Sequence, residues 1–146
     1  MTTNIKAIAS ILDRENVNYM LSRDNSFLFL AIELGDLKDQ GIVIKTLNSG
    51  KIVQFNAPLL FQISGSVHKG LVMQRILESQ FRTPMLKFVC STVKANKQYI
   101  EARVDFPLYE SPLRSEDLFS CISFMGAKLT EELPKLQNIL DFGCEP

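Results

Sequence analysis

The side chains that most often carry out acid–base or nucleophilic chemistry are few in this chain and lie far apart. Only one of the 146 residues is a histidine, His68, and no acidic partner for general base catalysis lies near it in the sequence. It falls in the first turn of a predicted helix, where the positive end of the helix dipole disfavours an imidazolium. The pattern favours an ordinary surface or boundary residue.

The three cysteines give no stronger signal for metal or redox chemistry. Their number is odd, their spacing is wide and none belongs to a C-x-x-C pair, which favours free, mostly buried thiols in a reducing compartment. These residues are Cys90, Cys121 and Cys144. The sequence therefore predicts neither a metal ion nor a cofactor.

One carboxylate, Glu33, lies inside a strongly apolar run. Burial would favour its protonated form and make it a general acid, or else it marks the exit of a strand into solvent beside Gly35 and Asp36. Phosphate-binding loops, nucleophile elbows, dinucleotide fingerprints and H-E-x-x-H metal motifs are all missing from the sequence. We therefore predict no catalytic residue and expect a chain that is not an enzyme.

Charge gives a local signal and no global one. Sixteen basic residues balance sixteen acidic residues, so nucleic acid is not an expected partner. A basic segment from Lys69 to Arg103 holds seven cations against two carboxylates, and an acidic segment from Glu110 to the end holds seven carboxylates against three cations. Either the two segments face each other or solvate separate surfaces, or the basic one forms a face for an acidic partner. A third hypothesis is that the basic segment is a local patch that binds nucleic acid.

The elements that position these residues follow from hydrophobic periodicity and from turn signals. A first amphipathic helix covers Ile5 to Leu12, capped by Thr2 or Thr3, and a second runs from a Gly65-Ser66 cap to about Phe81 with Val72, Met73, Ile76 and Leu77 inside. A third starts at Ser115-Glu116-Asp117 and buries Leu118, Cys121, Ile122, Met125, Leu129 and Leu133, until Pro134 breaks or kinks it before Leu136 to Leu140.

The strands are predicted between these helices. They cover Tyr19 to Ser22, Phe27 to Leu34, Ile42 to Leu47, Lys51 to Phe55, Leu86 to Val93 and Gln98 to Phe106, with a polar loop between Gly35 and Gly41 and with Pro58 closing the second hairpin. The element order is α-β-β-(β-β)-α-β-β-α. It predicts an α+β fold, an antiparallel sheet of about five strands with helices on one face, in a single domain spanning residues 1–146.

The apolar side chains of the second strand point both ways. If Leu28, Leu30, Ile32 and Leu34 face the helices, then Phe27, Phe29 and Ala31 lie on the opposite face. On the third helix, Phe124 falls away from the core stripe. We predict partner binding at Phe27, Phe29 and Phe124, unless a loop over Ala57 to Ile63 covers the open face.

Several stretches together resemble the YbjN-type family. The likeness covers nearly the whole chain, in element order and in these residues: Leu86-Lys87-Phe88-Val89, the alternation from Tyr99 to Val104, Pro107-Leu108, Ser115-Glu116-Asp117-Leu118 and Glu131-Glu132-Leu133-Pro134-Lys135-Leu136. Members of this family, some of them cyanobacterial, share the fold of type III secretion chaperones.

The resemblance implies a non-enzymatic, commonly dimeric domain that binds proteins or influences regulation, and it supplies no catalytic residue. The chain lacks the strongly acidic balance of secretion chaperones. Its N-terminus lacks a secretory apolar core, and its longest apolar run, Phe27 to Ile32, is too short to cross a bilayer. We expect a cytoplasmic protein, a homodimer or the binding partner of another protein, with no membrane association.

The competing hypothesis is a small-molecule-binding domain or small enzyme with an α+β cavity around Glu33 or His68. A deep pocket with several convergent polar groups would favour it.

Overall fold

A computed structural model describes residues 3–34, 37–82 and 85–144, apart from the side chains of residues 33, 34, 37–39, 59, 81 and 94. Three α-helices and six β-strands form within these ranges. The helices are α1 (Ile5–Arg14), α2 (Lys69–Arg82) and α3 (Ser115–Phe142). The strands are β1 (Met20–Leu21), β2 (Phe27–Leu34), β3 (Leu37–Leu47), β4 (Ile52–Gln62), β5 (Leu86–Val93) and β6 (Lys97–Pro107).

The strands form one antiparallel sheet in the order β1-β2-β3-β4-β6-β5. Four of the antiparallel pairs join strands that follow each other along the chain, β1–β2, β2–β3, β3–β4 and β5–β6, and β6 crosses to pair with β4. The predicted α+β fold, antiparallel sheet and element order are confirmed, with six strands in the described residues where about five were predicted.

The core lies between the helices and one face of this sheet, which we call the inner face. Alternation along β2 turns Leu28 and Leu30 inward, and the paired Ile44 and Ile42 of β3 lie beside them. All four are buried against apolar side chains of the helices. The helices contribute Ile8 and Leu12 of α1, Val72 and Ile76 of α2, and Leu118, Met125 and Leu129 of α3.

Two strand predictions were wrong at their ends. Residues 37–41, expected in a polar loop, belong to β3, and Pro58 does not close the hairpin because β4 continues to Gln62. A shift in register between Ala57 and Phe61 accommodates the proline, which cannot donate to a neighbouring strand. Ala57 to Ile63 is therefore not a loop over the open face.

The helix ends also differ from the prediction. The α1 cap is Asn4, whose Oδ1 accepts from the Ala7 N–H at 2.8 Å, while the Thr3 hydroxyl accepts from the Leu113 N–H at 3.3 Å. Thr2 lies outside the described residues. The α3 cap position is Arg114, without a side-chain cap bond.

Helix α3 runs unbroken through Pro134 for 28 residues, so the predicted break is absent. Its stripe stays buried beyond the proline at Leu136 and Ile139, which explains why packing overrides the lost backbone hydrogen bond. On α2, Val72 and Ile76 are buried as predicted, but Leu77 is 68% exposed.

Helices α2 and α3 are joined by a buried ion pair. Arg75 Nη2 lies 3.1 Å from Glu132 Oε2, and the two side chains are 7% and 9% exposed. The pair links the basic segment to the acidic segment inside the fold, which is one of the two arrangements expected from the charge pattern. Arg75 is therefore not part of a basic surface.

Candidate protein-binding surface

The face of the sheet turned away from the helices, which we call the outer face, carries the predicted apolar residues of β2. Register places Phe29 between Met20 of β1 and Val43 of β3, and it places Phe27 beside Lys45. Phe27 is 41% exposed, Phe29 is 36% exposed and Met20 is 71% exposed. These side chains form an apolar patch, the β1–β3 patch, at one end of the outer face.

The patch is modest in size. A phenylalanine side chain offers roughly 200 Å² of surface, so Phe27 and Phe29 together leave on the order of 150 Å² open to water. Monomeric proteins commonly expose apolar patches of a few hundred Å², so it is position, opposite the helices, and not size that distinguishes the β1–β3 patch.

Gly41 of β3 gives Phe29 its position. A Cβ at residue 41 would lie 2.5 Å from Cε2 of the Phe29 ring and 2.7 Å from its Cζ. The ring therefore lies flat over the Gly41 backbone, diagonally across the strand pair, instead of standing upright. A flat ring offers its face to an incoming side chain.

The edge of the sheet beside the patch is partly open. The Phe27 carbonyl accepts from the Ser22 N–H at 3.0 Å, and the Phe27 N–H donates to Ser22 Oγ at 3.1 Å. Because the direction of backbone groups alternates along a strand, those of Phe29 and Ala31 also point toward β1. Strand β1 pairs with Phe29 but does not reach Ala31. A groove of about 320 Å³ follows, lined by Asn18, Tyr19, Met20, Phe29, Leu30 and Ala31.

The other end of the outer face is polar. Gln54 Nε2 donates to Asp105 at 2.9 Å, and Ser91 Oγ donates to Glu101 at 3.0 Å. Arg103 Nη2 lies 3.4 Å from Glu101 Oε2, and the arginine side chain is 37% exposed.

Two polar atoms at this end are shielded yet unsatisfied. Asn56 Oδ1 and Arg103 Nε have no hydrogen-bond partner in the part of the chain that the structure describes. Their residues are direct neighbours across β4 and β6. Unsatisfied polar atoms of this kind are costly, and here a donor and an acceptor lie on adjoining residues.

Phe124 does not join Phe27 and Phe29. It is half-buried on α3 and packs against the core from the helix side of the sheet. A contact with another chain at Phe124 would therefore be separate from the β1–β3 patch, and it stays a prediction.

The candidate catalytic residues are not brought together. The Glu33 side chain lies outside the described part of the structure, and His68 lies in the turn before α2 with its ring against Gly143, where α3 ends. Cys90 and Cys144 are exposed and Cys121 is buried, so the prediction of mostly buried thiols was wrong for two of three. Within residues 3–34, 37–82 and 85–144, no three His, Cys, Asp or Glu side chains cluster as metal ligands.

Two further grooves bear on the hypothesis of a small-molecule cavity around Glu33 or His68. One of about 190 Å³ lies between α2 and α3 and includes Arg75 and Cys144. Another of about 490 Å³ lies beside Met85 and Tyr109, and its charged groups, Arg114 and Asp117, bond each other at 3.1 Å. Neither groove gathers several free polar groups, so neither favours the small-molecule hypothesis.

The basic segment is dispersed. Arg75 is buried with Glu132, Lys69 bonds the Gln98 side chain, and Arg103 contacts Glu101. Lys87 and Arg103 remain together on the outer face, as directly paired residues of β5 and β6. Sequence reasoning missed Met20, Gly41 and Asn56 as parts of the surface, and it named Arg103 without its neighbours, because only register reveals that these residues share a face.

No protein-family model matches the chain, and no curated protein matches it. Among solved structures it is similar to that of YbjN, a proposed transcription regulator from E. coli, with a TM-score of 0.57 and 11% identity over 85% of this chain and 83% of the other. This likeness confirms the YbjN-like fold. None of the helices in the described ranges is long and apolar enough to span a bilayer.

Proposed function

We propose that this chain is a non-catalytic protein-binding module, and that its partner docks on the outer face of the sheet at Phe27 and Phe29. The observation that carries the proposal is the exposure of both rings on a face that lies opposite all three described helices. Leaving two aromatic rings in water stabilises nothing in the isolated chain, whereas a partner would bury them.

Three further features support this role. The groove at the end of β1 adds open backbone beside the patch. YbjN, which has the same fold, is described as a proposed transcription regulator, and a regulatory role exercised through protein contact is part of our proposal. Cys90 and Cys144 are exposed free thiols, which fit the reducing cytoplasm.

The partner is either a second copy of the chain or another protein, and Phe124 on α3 is proposed as a separate, second contact. Light scattering over a range of concentrations distinguishes the two partners, because self-association raises the mean mass and Phe29→Glu would abolish that rise. A mass that stays at the monomer value directs the search to another protein.

Affinity capture from the native cell tests the proposal when the protein is monomeric. We expect one or more proteins to be retained by the parent chain and lost with Phe29→Glu. Leu77→Glu is the matched control, since Leu77 is an apolar residue 68% exposed on α2, away from the outer face. Equal retention by both variants would remove the basis of the proposal.

A further inference from the structure

Residues on the outer face line up in a single row that crosses all six strands. Each member is the direct cross-strand partner of the next, so their side chains point to the same side of the sheet. From β1 to β5 the row reads Met20, Phe29, Val43, Asn56, Arg103 and Lys87. It is apolar over its first three members and polar or basic over its last three.

The basic end of the row, formed by Arg103 and Lys87, could bind a negatively charged group. Lys87 is exposed, and the Arg103 guanidinium is partly exposed. The nearby carboxylates are already engaged, Glu101 by Ser91 and Arg103, and Asp105 by Gln54. Glu101 and Asp105 keep their negative charges, but Arg103 and Lys87 are direct cross-strand partners, so a carboxylate placed between these two would meet both cations.

The hydrogen bonding of Arg103 points the same way. Its Nη2 lies 3.4 Å from Glu101, a long contact, and its Nε has no hydrogen-bond partner in the described residues. A guanidinium prefers to bind a carboxylate through two parallel N–H donors. A small rotation of the Arg103 side chain away from Glu101 would present two of its N–H donors to a ligand. Asn56, the direct neighbour of Arg103 on β4, has a side-chain oxygen that is shielded and has no hydrogen-bond partner in the described residues.

We propose that the partner of the outer face is an extended protein segment that crosses the strands, with an apolar side chain over Phe29 and an acidic side chain at Arg103. This inference rests on the proposed function and names the chemistry of its partner. Neighbouring strands are about 4.8 Å apart, so Phe29 and Arg103, three strands apart, are separated by about 14 Å.

That separation sets the spacing in the partner. An extended chain rises about 3.3 Å per residue and returns to the same side every second residue, so residues i and i+4 span about 13 Å. An α-helix, at about 1.5 Å per residue, would need nine or ten residues for the same reach. The segment therefore carries its apolar anchor and its acidic residue four positions apart.

The area available favours a segment over a second copy of the chain. A stable dimer buries about 800 Å² on each partner, of which roughly 60% is apolar, and the two phenylalanines expose less than that apolar share. A short extended segment needs far less apolar area, because its anchor, its carboxylate and its backbone each make a separate contact with the row.

Selection from a library of random twelve-residue peptides displayed on phage tests this assignment. The parent protein is the bait, and Phe29→Asp and Leu77→Asp are parallel baits. We expect selected sequences to carry Asp or Glu four positions from an aromatic or aliphatic residue, and to bind the parent and Leu77→Asp but not Phe29→Asp.

Synthetic copies of the selected peptides then identify the residue that reads the carboxylate. Replacing the acid by its amide should weaken binding to the parent about tenfold or more, and should change binding to Arg103→Met little, because the two changes remove the same contact. Arg103→Lys keeps the charge without the planar fork, so it should show an intermediate affinity. Urea unfolding of each variant confirms that it is folded.

The outcomes separate the two proposals. If no peptide distinguishes the parent from Phe29→Asp, this inference is wrong, and the proposed function is decided separately by light scattering and affinity capture. If peptides depend on Phe29 but show no acidic preference, or lose equal affinity on amidation with the parent and with Arg103→Met, the binding surface stands and the role of Arg103 is wrong.

Discussion

The molecule contains one arginine–glutamate pair between its helices and another on the outer face of its sheet. Arg75 and Glu132 lie 3.1 Å apart with side chains 7% and 9% exposed. Arg103 and Glu101 lie 3.4 Å apart, and Arg103 keeps 37% of its side chain in water. The first pair is enclosed by the packing of α2 on α3, whereas in the second the Glu101 side chain is 10% exposed and only Arg103 keeps access to water.

The apolar residues of β2 divide in the same way. Leu28 and Leu30 are buried on the inner face, while Phe27 and Phe29 are half open on the outer face. The inner side thus encloses its ion pair and its leucines, although Glu132 Oε2, like Asn56 Oδ1 and Arg103 Nε, is buried without a hydrogen bond in the described residues. The outer face keeps Phe27 and Phe29 partly open to water, which is why we propose that it binds another molecule.

The largest expected effect comes from breaking each ion pair in turn. Glu132→Gln should lower the free energy of unfolding by about 3–5 kcal/mol, because it leaves the Arg75 charge buried without its carboxylate. Glu101→Gln should lower it by about 1 kcal/mol or less, because Arg103 can turn to water. Urea unfolding of both variants measures the difference, and equal losses would contradict the contrast between the faces.

Neighbouring residues of one strand provide the next test. Leu28→Ala should destabilise the fold by about 2–5 kcal/mol, since it opens a cavity in the core. Phe29→Ala should cost less, about 1–2 kcal/mol although it removes more atoms, because more than a third of the side chain is already exposed. Thermal unfolding followed by circular dichroism measures the stability loss of each variant. A Phe29→Ala loss as large as that of Leu28→Ala would mean that Phe29 is a core residue.

Gly41→Ala sharpens the contrast without touching a charged group. The new methyl group would displace the Phe29 ring, but a ring tip moves easily, so stability should stay within about 1 kcal/mol of the parent. Binding of the partner should fall, because the ring no longer lies flat. Gly70→Ala on α2, where an added Cβ meets nothing within 4 Å, is the matched control and should bind normally.

The smallest expected effect is a difference in alkylation among the three cysteines. Burial, aided by Asp117, raises the pKa of the Cys121 thiol from 9.0 to about 11. Alkylation of the native protein at mildly alkaline pH should therefore modify Cys90 and Cys144 and spare Cys121.

The same shift predicts a pH dependence. The unfolded thiol ionises before the folded one, so the Cys121 contribution should lower stability as pH rises from 9.0 to about 11. Urea unfolding across that range measures it, with Cys121→Ala as the control that removes this contribution. Rapid native alkylation of Cys121 would mean that α3 is not packed as described.

Much of the fold follows from the sequence, because periodicity is a local property. Alternation in β2 and β6 and the helical stripe of α3 identify these elements correctly. The errors at Pro58 and Pro134 have one cause, because a proline predicts a break from the local sequence alone. In β4 a register shift accommodates Pro58, and in α3 the buried side chains that follow Pro134 outweigh the break.

The candidate surface was only half predictable. Alternation alone places Phe27 and Phe29 on the outer face, but Met20, Asn56 and Arg103 join them through pairings between residues far apart in the chain. Gly41 gave no signal, because its role is to leave room for a ring on another strand.

Photo-crosslinking from the patch in the native cell tests the central claim most directly. A benzoylphenylalanine at position 29 replaces one aromatic ring by another, and the same residue at position 77 reports on the helix side. The account predicts a discrete covalent adduct with a protein from position 29 and background labelling from position 77. Equal labelling from both positions, or none from position 29, would contradict it.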